Sequence, residues 1–171
     1  GDFIVNDISA GEDDPSMLPT VGSLGLEYVA LHKRGTPETM QSMTDYDDIT
    51  ASVTRYFDEF AEKAEFHGVK NWILDPGFGF AKTVGQNYEL LSNLQKLHRT
   101  YGKATPRVLV GVSRKSMIYK PLGILPEEAL SATQAIHMAA LMNGADILRV
   151  HDVAPALQTV SLYNKMAWSA L

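Results

Sequence analysis

"NWILDPGFGFAKTVGQNYELL", residues 71–91, runs from an apolar stretch into an aspartate, breaks at Pro-Gly and then alternates Gly with Phe. A lone carboxylate at the end of a buried strand is costly unless it is paired and hydrogen-bonded. Asp75 therefore implies partners elsewhere in the chain. Four more short apolar runs lie outward from it: "FIVNDI" (3–8), "LEYVALH" (26–32), "RVLVGV" (107–112) and "ADILRV" (145–150). Like "NWILD", each leads into polar groups: Asn6-Asp7, His32-Lys33-Arg34, Ser113-Arg114-Lys115, and Arg149 with His151-Asp152.

Helical patterns separate these runs. From Ile49 to Phe66, Val53, Tyr56, Phe57, Phe60, Ala61 and Ala64 fall on one face at helical spacing. Asp47 and Asp48 stand at its cap, and His67-Gly68 at its stop. Further helices are expected over Gln86–Tyr101, Pro126–Met142 and Pro155–Ser169, with a weaker one over Pro15–Ser23. Strand followed by helix, repeated five times, reads as a parallel α/β architecture.

In a parallel sheet the carboxyl ends of all strands lie on one side, so the polar groups converge on a ligand site. Ser113 and Lys115 are two apart, as are Arg149 and His151, so continued extended geometry aims each pair to one side, with Arg114 and Asp152 facing away. Lys115, Arg149 and His151 could together grip a phosphate-like anion. Asp75 and Asn6 suit a heterocycle with adjacent N–H donors and a carbonyl. Gly77 and Gly79 permit close approach, and Phe78 and Phe80 could wall an aromatic ligand. The glycines of "GFGFAK" lack dinucleotide-loop or Walker spacing.

Plainer readings stand beside these. Asp-Pro-Gly is ordinary turn chemistry, Asn6 could be a cap, and Lys115 could be a solvated lysine at a helix start. Arg149 and His151 could pair with Asp146 or Asp152. His67 and His98 read as surface residues, His137 as packing, and His32 as structural beside the site. No trio of His and carboxylates has the spacing of a metal cage.

The composition narrows the class. Across 171 residues, 15 basic and 20 acidic side chains leave a net charge of −5, against a general nucleic-acid or anionic-membrane surface. Cysteine is absent, which removes disulfides and thiolate zinc sites and suits a reducing cytoplasm. No apolar run approaches the roughly 20 residues that span a bilayer.

"VNDISAG", "LHKRGTPETMQ", "ILDPGFGFAKTVGQNYELL", "LVGVSRKSMI" and "LRVHDV" closely resemble, in order, segments of the dihydropteroate synthase family. The similarity runs over essentially the whole chain. It implies a (β/α)8 barrel, of which about five βα units are present, with residues 1–171 as the C-terminal portion of one pterin-binding domain. It also implies condensation of 6-hydroxymethyl-7,8-dihydropterin pyrophosphate with para-aminobenzoate in folate biosynthesis. By motif position, Asn6 and Asp75 would bond the pterin, and Lys115 its carbonyl and ring nitrogen. Leu31, Gly111 and Phe80 would complete the pterin pocket. Arg149 would stack on the ring and, with His151, bind pyrophosphate; Ser113, Phe80 and Lys115 would meet the aminobenzoate. Lys115 and Asp75 carry the catalytic expectation.

The resemblance further implies Mg2+ (its protein ligand expected in a preceding part), a homodimer, a cytoplasmic enzyme and a sulfonamide target. Leu31 stands where many relatives have methionine, and "LHKRG" departs from their commoner pattern. Three earlier barrel strands are expected upstream, so this chain alone is expected to lack synthase activity. Two alternatives remain open: a methyltransferase-type pterin enzyme, and a non-catalytic pterin-binding or interaction module.

Overall fold

The computed structural model describes residues 3–36 and 38–168. Five parallel strands, β1 (Ile4–Asp7), β2 (Glu27–Leu31), β3 (Trp72–Asp75), β4 (Arg107–Val110) and β5 (Ile147–Leu148), lie side by side in chain order. The order never reverses, so there is no doubly wound switch point. Sequential parallel pairing with intervening helices is the winding of a (β/α)8 barrel, and the five units form an open half-barrel.

The helices are α1 (Met17–Leu24), α2 (Ile49–Phe66), α3 (Val84–Ser92), α4 (Ser116–Leu122), α5 (Leu130–Met142) and α6 (Val153–Trp168). Local chemistry sets their ends. Asp48 caps α2 by accepting the Ala51 N–H at 2.8 Å, and Gly68 turns the chain away at φ +76°. Thr83 and Gln86 close a reciprocal capping box on α3, fixing where the loop after Asp75 becomes helix.

Two expected elements differ, and one helix was not expected. The helix read over Gln86–Tyr101 stops at Ser92 and tightens into a 3-10 turn at Leu94–Leu97, which buries both leucines. The run from Pro126 is 3-10 through Glu128 before α5 begins. Helix α4 was unforeseen because it is seven residues long and contains Pro121. The expected end at Ser169 lies outside the described residues.

Strand alternation sorts side chains onto two faces. Outward, Tyr28, Ala30, Trp72, Leu74, Val108 and Val110 join the helices in the main core. Its centre is aromatic: Phe57 stacks on Trp72 with centroids 6.0 Å apart, and Phe60 meets Trp72 edge-on at 5.0 Å. Inward, Val29, Ile73, Leu109 and Ile147 form a small layer of their own. Two residues before that layer, Glu27 and Arg107 pair at 2.7 Å. Two residues beyond it stand Leu31, Asp75, Gly111 and Arg149, so the inner wall passes from apolar to polar at the carboxyl ends.

Phe57 is fully buried among rings that cannot all collapse together. Phe57→Ala should therefore cost about 3–5 kcal/mol, read as a lower urea midpoint at unchanged m-value.

Candidate active site

Asp75 ends β3 on the inner face at 1% exposure. Its Oδ1 accepts the Gly77 N–H at 2.8 Å. Its Oδ2 lies 2.8 Å from Arg149 Nη2, yet no N–H points along that line, so this buried oxygen is ion-paired without an aligned hydrogen bond. Arg149 also donates from Nη1 to Asn6 Oδ1 at 3.3 Å. The guanidinium thus links the end of β5 to β3 and β1, passing Gly111 just beyond β4. A Cβ on Gly111 would sit 2.7 Å from Nη2, which explains why a side chain is missing there. Leu31, paired in register with Asp75, is fully buried beside it.

The loop after Asp75 folds back under its own side chains. Gly77 has φ +71°, and a Cβ there would lie 1.9 Å from the His32 carbonyl. Lys115 donates to the Phe78 carbonyl and stands 5.1 Å from the Phe80 ring centroid. Burial lowers the Lys115 pKa to about 8, with Asp75 opposing the shift and Arg149 adding to it. Asn6, Asp75, Lys115 and Arg149 therefore lie around one mouth, with Phe80 and Gly111 beside them.

Other expected groups behave differently. β4 ends at Val110 and Arg114 takes φ +53°, so extended alternation does not carry on to Lys115. Ser113 turns to buried contacts instead: its Oγ accepts the His151 N–H at 3.3 Å and lies 3.4 Å from His137 Nε2. Arg114 and Asp152 turn aside together in a two-pronged pair at 2.9 Å on both arms. That claims Asp152, so it is Asp75 that pairs with Arg149. The His151 ring is exposed, while Lys115 and Arg149 are near enough to act on each other electrostatically.

Sequence reasoning missed Lys82. It is 5% exposed, and its ammonium reaches His32 Nδ1 at 2.9 Å and the Gly77 and Phe80 carbonyls at 3.0 Å each. Burial lowers its pKa to about 7; Asp75 opposes this, while Lys115 and Arg34 add to it. Burial, then the nearby Lys82 and Arg34, keep His32 neutral. The only sequence signal was a lysine two residues past an otherwise glycine-aromatic loop.

The carboxylates at the mouth are engaged. Asp7 takes Ser9, Gly11 and Tyr28; Asp75 takes Gly77 and Arg149; Asp152 takes Arg114. Among the described residues no three His, Cys, Asp or Glu side chains are grouped to hold a metal, so these residues do not fit a protein-built magnesium cage. No described helix is long and apolar enough to cross a membrane. A groove of about 400 Å³ lies between α2 and the start of β3, at the far end of that strand from Asp75.

Residues 1–151 match the model of the pterin binding enzyme family. The chain belongs to that family. It is 40% identical over 162 residues to the dihydropteroate synthase of Escherichia coli, covering 94% of this chain and 56% of that protein. The chain thus spans little more than half the length of that relative. Among solved structures it superposes on the dihydropteroate synthase of Yersinia pestis in a sulfonamide drug complex at TM-score 0.91 and 33% identity, covering 98% of this chain and 60% of that one. It also superposes on the Thermus thermophilus enzyme in complex with 6HMPPP at 0.86 and 31%, covering 96% and 64%. A further Thermus structure holds 4-aminobenzoate.

Two outcomes follow from this geometry. Gly111→Ala should displace Arg149 from Asp75, so that Arg149→Met costs far less stability in that background than in wild type. A double-mutant cycle measures the coupling. For pH, the folded pKa values of Lys82 and Lys115, about 7 and about 8, lie below the ordinary 10.5. The unfolded chain then binds more protons between about pH 7 and 10, and stability rises with pH across that window. Lys82→Met should flatten the rise by up to about 1.4 kcal/mol per pH unit, measured by denaturant unfolding at successive pH values.

Proposed function

We propose that this chain supplies the pterin-pyrophosphate floor of a dihydropteroate synthase, with residues 1–171 forming part of one pterin-binding domain. The full-length protein would join 6-hydroxymethyl-7,8-dihydropterin pyrophosphate to para-aminobenzoate, giving dihydropteroate and pyrophosphate in folate biosynthesis. The observation that carries this is the buried Asp75 Oδ2, an acceptor with a cation beside it and no aligned donor. The amino-pyrimidine edge of a pterin presents paired N–H donors much as a guanidinium does. Binding would exchange Arg149 for the ring, leaving Asp75 and Asn6 to take those N–H groups. Lys115 would donate to the ring carbonyl and nitrogen, with Leu31, Gly111 and Phe80 as the pocket.

The released Arg149 would stack on the ring and, with His151, hold the diphosphate. The C–O bond to pyrophosphate breaks, the electron pair leaves with the diphosphate, and the aminobenzoate nitrogen forms the new C–N bond as it loses a proton. No protein nucleophile is needed; positioning and charge do the catalysis. Ser113, Phe80 and Lys115 would border the aminobenzoate, and sulfonamides resembling it would compete there. No step is routed through magnesium, because the residues present do not fit it.

A homodimer through α5 and α6 is part of this reading. It is supported by the exposed Met142, Val153, Leu157 and Leu162 on those helices. A cytoplasmic location accords with the lack of cysteine.

The test is pyrophosphate release by the full-length protein with both substrates present. Release should require both, and Asp75→Asn or Lys115→Met should lower kcat/KM by about a hundredfold or more, as for loss of a buried electrostatic contact to the reacting group. Tight pterin-pyrophosphate binding without release would indicate a binding module. Methyl transfer from a methylated folate instead would indicate the methyltransferase reading.

A further inference from the structure

The loop from Pro76 to Phe80 leaves strand geometry while buried through Phe78 and half-buried at Gly79 and Phe80, so its backbone polar groups need partners no sheet neighbour provides. Side chains supply them. Gly77 N–H goes to Asp75, and Gly79 N–H goes to Asn87 Oδ1 at 2.7 Å. The Phe78 carbonyl takes Lys115. Lys82 donates to the carbonyls of both Gly77 and Phe80 at 3.0 Å, while its third donor faces His32 Nδ1 at 2.9 Å. Without Lys82, the Phe80 carbonyl has no other donor among the described residues, and that of Gly77 keeps only the Phe80 N–H at 3.1 Å.

Other arrangements would have been possible for a purely structural plug. An apolar side chain would fill the space, but it would leave those carbonyls orphaned, at the cost of a lost hydrogen bond each. The groups facing the ammonium are unusual for a fold-stabilising lysine. Asp75 attracts it, Lys115 and Arg34 repel it, and His32 is neutral. The same Asp75 and Lys115 border the ligand mouth, so the lysine sits directly behind the site without entering it.

We propose that Lys82 is a positioning residue: by gripping both carbonyls of the Gly77–Phe80 turn against His32, it sets where the Phe80 ring and the Phe78 carbonyl stand, and so where Lys115 points and how aminobenzoate is received. The part concerning aminobenzoate rests on the synthase reading; the grip itself does not. The Phe80 ring lies beside the Lys115 ammonium, and that ammonium donates to the Phe78 carbonyl, which sits between the two carbonyls that Lys82 holds. Loosening the turn therefore degrades the second-substrate side of the mouth. The pterin floor of Asp75 and Asn6, held by β3 and β1, changes less.

The full-length protein is compared with its Lys82→Met variant, and with Lys82→Gln, whose amide retains a donor, in case the first does not fold. Two readouts are taken. Amide hydrogen exchange at Gly79 and Phe80 should quicken at least tenfold in the variant. In the steady state, KM for aminobenzoate should rise about tenfold or more while pterin-pyrophosphate binding by calorimetry stays within about threefold; a general loss of structure would move both together. Unchanged exchange at Gly79 and Phe80 overturns the proposal whatever the activity. Faster exchange with an unchanged aminobenzoate KM in an active enzyme overturns it as a positioning role. If wild type turns over neither substrate, the synthase reading has failed, and exchange alone decides the grip: quickening upholds it and its absence sinks it.

Discussion

The carboxylate of Asp75 lies inside the sheet mouth, and most of what surrounds it answers that one burial. A charge so placed must be compensated from several directions. Gly77 supplies an N–H from the same turn, and Arg149 supplies the countercharge from two strands away. Arg149 passes over Gly111, just beyond β4, where a Cβ would lie 2.7 Å from its guanidinium, and this links Gly111 to the Asp75 pair. The shape of the mouth is a consequence of electrostatic reach as much as of strand order.

Around this pair the protein gathers more positive charge than the exposed surface would require. Lys82 and Lys115 are both buried enough for their pKa values to fall toward neutrality, and Asp75 alone pulls them back. One lysine is turned inward to brace the loop, and the other is turned toward the opening. Such an arrangement strains the fold near neutral pH and relaxes as the pH rises. Under the function proposed above, an arriving diphosphate would relieve the mutual repulsion of these cations.

The opposite face of the same strands has a different task. Tyr28, Trp72, Leu74 and Val108 bury against the helices in an aromatic-rich core. The inner layer of Val29, Ile73, Leu109 and Ile147 is thin and gives way to polar groups within two residues. Stability is therefore concentrated between sheet and helices, while the inner face is left to chemistry. The groove of about 400 Å³ lies on the helix side, away from Asp75.

Strand and helix identity, their alternation and the gathering of Asp75, Lys115 and Arg149 at strand ends were legible in the chain itself. Each rests on local periodicity and on a polar residue following an apolar run, and both are properties of neighbours in sequence. Element ends were less legible, because the 3-10 turn at Leu94–Leu97 and the short α4 answer packing rather than propensity. Partner choice was not legible at all. Asp152 could have paired with Arg149 by sequence spacing, yet the positive φ at Arg114 swings that arginine onto Asp152 and leaves Arg149 to Asp75. Lys82 likewise became a brace only once the turn had folded back over it. Periodicity along a chain fixes which face a residue takes, but which charges meet depends on distances between strands, and only the folded chain sets those.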